Sequence, residues 1–159
     1  CWFVQPEDRV FLVVPDASDV DAAVRSLARV GIDRIEGVLA GGFGAWRNAG
    51  MPIGRARTTD PRELEEHLPR TTVLDVRDDD EIASGRIPGA LHVYVGRLEA
   101  ELERLRPQLG AKPNLVVTCS VGHRSGIAVS LLVRRGLGHA TNLLGGMTAW
   151  KKLGLPTAP

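Results

Sequence analysis

Apolar and polar positions alternate along the chain in two periods, and the two periods take turns. Leu115-Val116-Val117-Thr118 is a short apolar run that ends on Cys119 and reads as a buried strand. Stretches 72–76, 90–95 and 140–144 read as further strands. Between them the spacing turns helical. Leu98, Leu102, Leu105 and Leu109 recur every three to four residues over 97–109, with charges opposite, which predicts a surface helix with one core stripe. Asp60-Pro61-Arg62-Glu63 reads as an N-cap, a proline at the first helical position and a glutamate closing a capping box, opening a helix to about Leu68. The acidic stretch 78–84 predicts a short helix ended by Gly85. Stretch 126–135 is helix-periodic, with Ile127, Ala128, Leu131 and Leu132 on the inward face, and 147–153 closes the chain as a short helix.

The same grammar appears upstream. A strand is expected at 10–14 and a helix capped by Ser18 or Asp19, with Val20, Ala23, Val24, Leu27 and Ala28 on one face and a stop at Gly31. A short strand at 34–39 and a helix at 43–49 follow. This segment repeats the end of the chain. Leu12-Val13-Val14-Pro15-Asp16 aligns with Leu115-Val116-Val117-Thr118-Cys119. Leu39-Ala40-Gly41-Gly42-Phe43-Gly44-Ala45-Trp46 aligns with Leu143-Leu144-Gly145-Gly146-Met147-Thr148-Ala149-Trp150. The offset is 103 residues at the first match and 104 at the second, a domain-sized duplication. Strands and helices alternating at these lengths predict an α/β fold with a mostly parallel sheet covered on both faces.

The candidate chemistry lies at Cys119. A cysteine at the carboxyl end of a strand, facing the amino end of a helix, stands where open α/β sheets bind ligands. The loop Ser120-Val121-Gly122-His123-Arg124 turns its backbone N–H groups inward as an anion cradle. The helix start adds partial positive charge. Arg124 adds a permanent charge and His123 a conditional one. Such surroundings lower a thiol's pKa from about 8.5 to roughly 3.5–7.5, giving a nucleophilic thiolate. Gly122 lets the backbone approach closely, and Ser125 is expected to cap the helix. Asp75 and Arg77, at the end of strand 72–76, are expected to tie down neighbouring loops by hydrogen bonds.

Composition narrows the field. The 159 residues carry a formal charge of +1, which points away from nucleic acid and anionic membrane as partners. No apolar run approaches the roughly 18 residues that span a bilayer. Two cysteines, Cys1 and Cys119, make no disulfide framework, and a working thiolate fits a reducing, cytoplasmic compartment. No cluster has metal-ligand spacing, so no metal or cofactor is expected; His67, His92 and His139 read as structural or surface residues. The chain begins on Cys1 without an initiator methionine and shows no signal-peptide pattern, so a fragment of a longer protein is expected. Cys1 as a resolving thiol for Cys119 is disfavoured, since chain ends are usually mobile.

Four stretches carry a family resemblance. Cys119-Ser-Val-Gly-His-Arg124-Ser125 resembles the C-x-x-G-x-R-S active-site loop of the rhodanese family of sulfurtransferases. Leu74-Asp75-Val76-Arg77 resembles the family's L-D-V-R strand end, Gly85-Arg86-Ile87-Pro88-Gly89-Ala90 its G-H-I-P-G-A turn, and Leu144-Gly145-Gly146-Met147-Thr148-Ala149-Trp150 its closing G-G-x-x-A-W. They stand in family order over about 55–156. The resemblance implies an α/β/α sandwich in which Cys119 carries a sulfane sulfur as a persulfide, from a donor to a thiophilic acceptor such as a thiol or cyanide. Ser120, Val121, Gly122, His123 and Arg124 would then bind the substrate. Many thiosulfate-using members carry Arg or Lys directly after the cysteine, where this chain has Ser120 and Val121. Thiosulfate is therefore the default donor and a persulfide, such as glutathione persulfide, the alternative.

The organisation expected is a partial rhodanese-like repeat at 1–53, a polar linker at 54–58 and a rhodanese domain at 59–159. Asp16 stands at the nucleophile position of the first copy, so that copy is read as inactive. Two other functions stay open. A regulatory or sulfur-delivery module of a larger protein is one; the tandem resembles the carboxyl-terminal region of fusions with a metallo-β-lactamase-fold persulfide dioxygenase, whose hydrolase-fold domain would lie upstream. A cysteine phosphatase or arsenate reductase is the other, disfavoured because those loops run C-x5-R and this one runs C-x4-R. A homodimer is also open.

Overall fold

A computed structural model describes residues 2–159. The chain divides into two compact units, the first reaching Gly54 and the second spanning Arg55–Pro159.

The second unit is built on five parallel strands. β3 (Arg57–Thr59), β4 (Thr71–Asp75), β5 (Leu91–His92), β6 (Asn114–Thr118) and β7 (Ala140–Leu143) stand in the order β3-β7-β6-β4-β5. The central pair runs in register, Val73 opposite Val116 and Asp75 opposite Thr118. Every residue of β4 is buried, as a strand covered on both faces requires. Four helices flank the sheet: α3 (Pro61–His67), α5 (Leu98–Leu109), α6 (His123–Arg134) and α7 (Gly146–Lys152). A single turn, α4 (Asp79–Ile82), follows β4. The core between sheet and helices joins Leu64, Val73, Ile87, Val116, Leu143, Met147 and Trp150. Trp150 is fully buried and donates its indole N–H to the carbonyl of Pro156 at 2.8 Å. The leucine stripe of α5 is buried at all four positions, as its spacing predicts.

Several local expectations need correction. Residues 57 and 58, expected in a linker, pair with β7 as an edge strand; the Arg-Thr-Thr sequence is polar because one side of that strand faces solvent. Asp60 caps α3 through the amides of Arg62 and Glu63 as expected, but Glu63 accepts from the Thr59 hydroxyl at 2.6 Å instead of closing a box. The box forms one helix later, where Asp78 caps α4 and Glu81 reaches back to the Asp78 amide. α6 starts at His123, three residues before the expected 126, so its inward face is Ser125, Ala128, Val129 and Leu132, joined by Leu131. Ile127 is left 42% exposed. The strand expected at 90–95 is reduced to the two residues of β5.

The first unit holds two parallel strands, β1 (Val10–Leu12) and β2 (Ile35–Val38), with helices α1 (Val20–Ala28) and α2 (Gly42–Asn48). Asp19 holds the N-cap position of α1, as expected, but makes no side-chain capping bond; Asp16 supplies the side-chain cap one turn earlier. Its carboxylate accepts from the amide and hydroxyl of Ser18, both at 2.8 Å, and starts a 3-10 turn at Ala17–Asp19 that leads into α1. The Ser18 amide and hydroxyl hold the exposed Asp16 carboxyl below its ordinary value. Locally this unit matches the end of the second. Gly41 and Gly42 have φ of 72° and 56°, and Gly145 and Gly146 have 70° and 52°. Trp46 donates to the carbonyl of Pro52 at 3.0 Å, as Trp150 does to Pro156. The burial differs: of the apolar residues here, Leu12 and Ile32 belong to a core, while Phe11, Val13, Val38 and Phe43 are exposed.

No helix among the described residues is long and apolar enough to cross a membrane.

Candidate active site

β6 ends at Thr118 and hands Cys119 to a loop that turns back on it. The turn depends on Gly122, whose φ of 106° only glycine adopts without strain. Its amide points at the cysteine and donates to Sγ at 3.1 Å. Its carbonyl accepts from the amide of Gly126, the first helical bond of α6, and from the side-chain amide of Asn142 on β7 at 3.2 Å. α7 secures the other side: the amides of Met147 and Thr148 donate to the carbonyls of Cys119 and Ser120 at 2.8 and 2.9 Å. The backbone carrying the cysteine is therefore held by two helix starts and a strand.

Cys119 is 1% exposed and free of any disulfide. Burial alone would push its thiol up. The hydroxyl of Ser125 and the amides of Ser125, Gly122 and Val121 outweigh that and bring it below the ordinary thiol value. Ser125 is the correction here. It does not cap α6, because Gly122 holds the cap position. It sits fully buried in the first turn, with its hydroxyl 3.3 Å from Sγ. The physical reason is the early helix start, which turns the residue from the end of the helix onto its inner face.

Arg124 is engaged by the acidic turn that follows β4. Nη1 is 2.7 Å from Oδ2 of Asp78 and 2.6 Å from Oε2 of Glu81. Nη2 is 2.8 Å from Oε1 of Glu81 and 2.7 Å from the Ser120 hydroxyl. Ser120 in turn donates to Glu81. The bidentate pair holds the Glu81 carboxyl far below the usual carboxylate range and raises Arg124 above its own. Val121 and His123 are exposed on the rim of the loop.

Asp75 and Arg77 lie one step behind this rim. Both are buried, 0% and 3% exposed, and paired through four hydrogen bonds from Arg77 to the Asp75 carboxylate. The guanidinium also donates to the carbonyls of Glu81 and Gly85 at 3.0 and 2.9 Å. The pair fixes α4, and α4 presents Asp78 and Glu81 to Arg124.

The structure thus brings Cys119, Ser120, Gly122, Arg124 and Ser125 together, and reaches Asp75 and Arg77 through α4. Sequence reasoning missed Asp78, Glu81 and Asn142. An acidic run at 78–81 was the only signal for the first two, and nothing marked Asn142. Of the described residues, no three His, Cys, Asp or Glu side chains come together as a metal site. Cys1 lies outside the described residues.

Residues 60–153 match the family model described as a rhodanese-like domain. A sulfurtransferase from Allochromatium vinosum is 32% identical over 100 residues, covering 61% of this chain and 90% of that protein. A chloroplastic thiosulfate sulfurtransferase of Arabidopsis thaliana is 35% identical over 92 residues, covering 53% of this chain and 77% of its own length. The crystal structure of a rhodanese-related protein from Thermoplasma volcanium superposes with a TM-score of 0.59 at 29% identity, over 64% of this chain and 97% of the other.

Proposed function

Because the chain belongs to the rhodanese-like domain family, whose sulfurtransferase-named members it resembles, we propose that it moves a sulfane sulfur through a persulfide on Cys119. The observation that carries this reading is the ring of donors on Sγ: the Gly122 amide at 3.1 Å and the buried Ser125 hydroxyl at 3.3 Å. The thiolate attacks the outer sulfur of the donor, the donor's S–S bond breaks, and sulfite or a thiolate leaves with the bonding pair. The amide groups that stabilise the thiolate then meet the charge of the persulfide. An acceptor thiolate or cyanide takes the outer sulfur and regenerates Cys119.

Intact-mass spectrometry of the reduced protein tests it. Thiosulfate or a small-molecule persulfide should add one sulfur atom, cyanide should remove it as thiocyanate, and Cys119→Ser should gain nothing. A Cys119 that alkylates readily yet never gains sulfur would overturn the reading.

We read the first unit as a partial, inactive rhodanese-like repeat. Its support is local: the glycine pair, the tryptophan bond and the parallel strands match those of the second unit. Asp16 at the nucleophile position caps a 3-10 turn and offers no thiolate.

A further inference from the structure

We propose that Asn142 is a positioning residue for Cys119: from the neighbouring strand it holds the Gly122 peptide so that the Gly122 amide stays aimed at the sulfur. The proposal rests on the sulfurtransferase reading above for what the thiolate does, and adds a residue which that reading does not name.

Asn142 stands inside the sheet. Its backbone pairs with Val117 of β6 on one side and Thr58 of β3 on the other, so the strand fixes where its side chain starts. The side chain lies against the first turn of α6. A Cβ built on Gly126 would stand 3.5 Å from Nδ2, and one built on Gly122 3.9 Å. Glycine at both positions leaves the notch that the amide occupies. Only the NH₂ end of an asparagine can meet a carbonyl oxygen, so the bond from Nδ2 to Gly122 O at 3.2 Å settles which way the amide is turned. Oδ1 is then left buried without a hydrogen-bond partner among the described residues. A buried acceptor left unpaired is destabilising, and a leucine of similar size would carry no such acceptor. The asparagine therefore gains little for the fold, and its one hydrogen-bonded contact is with the loop that carries the cysteine.

That contact falls on the most mobile link of the loop. Gly122 has φ of 106° and ψ of −12°, and without a Cβ it turns more freely than any other residue. Rotation about φ decides where its N–H points relative to its own carbonyl. The carbonyl accepts twice, from the Gly126 amide at 3.0 Å and from Asn142. The first bond belongs to α6 and moves with it. Among the described residues the second alone bonds Gly122 to the sheet. With the carbonyl tied to β7, the amide on the other side of the same residue faces Sγ at 3.1 Å. That amide is one of the donors that hold the Cys119 thiol below its ordinary value.

The test is iodoacetamide alkylation against pH on the full chain, followed on the Cys119 peptide by mass spectrometry, with a thermal melt of each variant. Asn142→Leu removes the donor and keeps most of the volume. Its alkylation inflection should rise, and its rate below the inflection should fall about two- to tenfold, the range that one ordinary hydrogen bond spans. Its melting temperature should stay close to wild type, because the unpaired acceptor leaves with the donor. Thr141→Val, on the opposite face of β7, should leave the inflection in place. The charged and ionisable groups around the loop are the same in every variant: His123 and Arg124 on α6, Asp78 and Glu81 on α4, the Asp75–Arg77 pair and Lys151 on α7. A moved inflection therefore reports the aim of the amide. The acid limb of kcat/KM, with thiosulfate as donor and cyanide as acceptor, should move with it. A lower melting temperature with an unmoved inflection would make Asn142 a purely structural tie and overturns the proposal. Asn142→Ala carries the same test should the leucine variant not fold, and an unmoved inflection there overturns the proposal equally. If Cys119 of the wild type alkylates but never gains sulfur, the sulfurtransferase reading fails, and the alkylation comparison still decides the role of Asn142.

Discussion

The hydroxyl of Ser125 lies 3.3 Å from Sγ of Cys119, inside the first turn of α6, where it faces the sulfur and not the solvent end of the helix. A hydroxyl can turn its hydrogen toward a thiolate, and a hydrogen bond to a charged group is worth about 1.5–3 kcal/mol. Ser125→Ala should therefore raise the Cys119 pKa, because the thiolate loses one of the donors that stabilise it. Iodoacetamide alkylation against pH reads this directly. Wild-type protein should show its inflection below the ordinary cysteine value of about 8.5, and the variant should shift upward, with slower alkylation at neutral pH. The sign for stability follows. An acid whose folded pKa is depressed adds stability as pH rises from the folded value to the unfolded one, and that increment shrinks in the variant.

The cysteine and its loop were legible because a strand ending on a cysteine before a glycine-bearing loop is a local pattern. The strands and the leucine stripe of α5 were legible for the same reason: burial imposes a period on neighbouring residues. The role of Ser125 was not, because it depends on where α6 begins. A positive φ at Gly122 moved that start to His123, and three residues of shift turn a cap into an inner face. The partners of Arg124 were hidden by distance: Asp78 and Glu81 stand 46 and 43 residues away in sequence. Strand β3 escaped because an edge strand with one solvated side carries little apolar signal. Asn142 escaped because its contact is with a backbone carbonyl, for which no side-chain pattern exists.

Asp75 and Arg77 are expected to support the fold and, through it, the rim. Removing one member of a buried pair leaves the other charged and unpartnered, at a cost of about 3–5 kcal/mol. Asp75→Ala should lower the urea midpoint of the second unit accordingly. Arg77→Met should do likewise, because the carbonyls of Glu81 and Gly85 lose their donors as well. Equal midpoints for wild type and Asp75→Ala would show the pair contributes nothing.

Two glycines with similar backbones should respond differently to alanine. Gly136 has φ of 91° with open space around it, so Gly136→Ala should cost about 1–2 kcal/mol, the left-handed penalty alone. Gly146 has φ of 52°, and a Cβ there would stand 2.2 Å from the carbonyl oxygen of Cys119 and 2.8 Å from that of Ser120. Gly146→Ala must push the loop away from α7. It should destabilise by more than Gly136→Ala and also slow alkylation of Cys119, which Gly136→Ala should leave unaltered. Thermal melts and alkylation rates on the two variants separate strain from steric displacement.

Met147 and Phe43 each follow a Gly-Gly turn of similar backbone, yet one is 2% exposed and the other 53%. Met147 packs against Leu64, Val73, Ile87 and Trp150. Truncating such a residue leaves a cavity and costs about 2–5 kcal/mol. Phe43 lines an open apolar groove of about 530 Å³ with Phe11, Val13, Val38 and Trp46, and among the described residues of the first unit Leu12 and Ile32 alone are buried apolar side chains. Phe43→Ala should cost less than about 1 kcal/mol, because little apolar surface returns to water. It should also reduce the fluorescence of an apolar dye such as ANS, since contiguous exposed apolar surface is what the dye binds. Calorimetry on the two variants compares truncation of a buried apolar side chain with truncation of an exposed one. A large loss of stability from Phe43→Ala would mean that the groove is packed in solution.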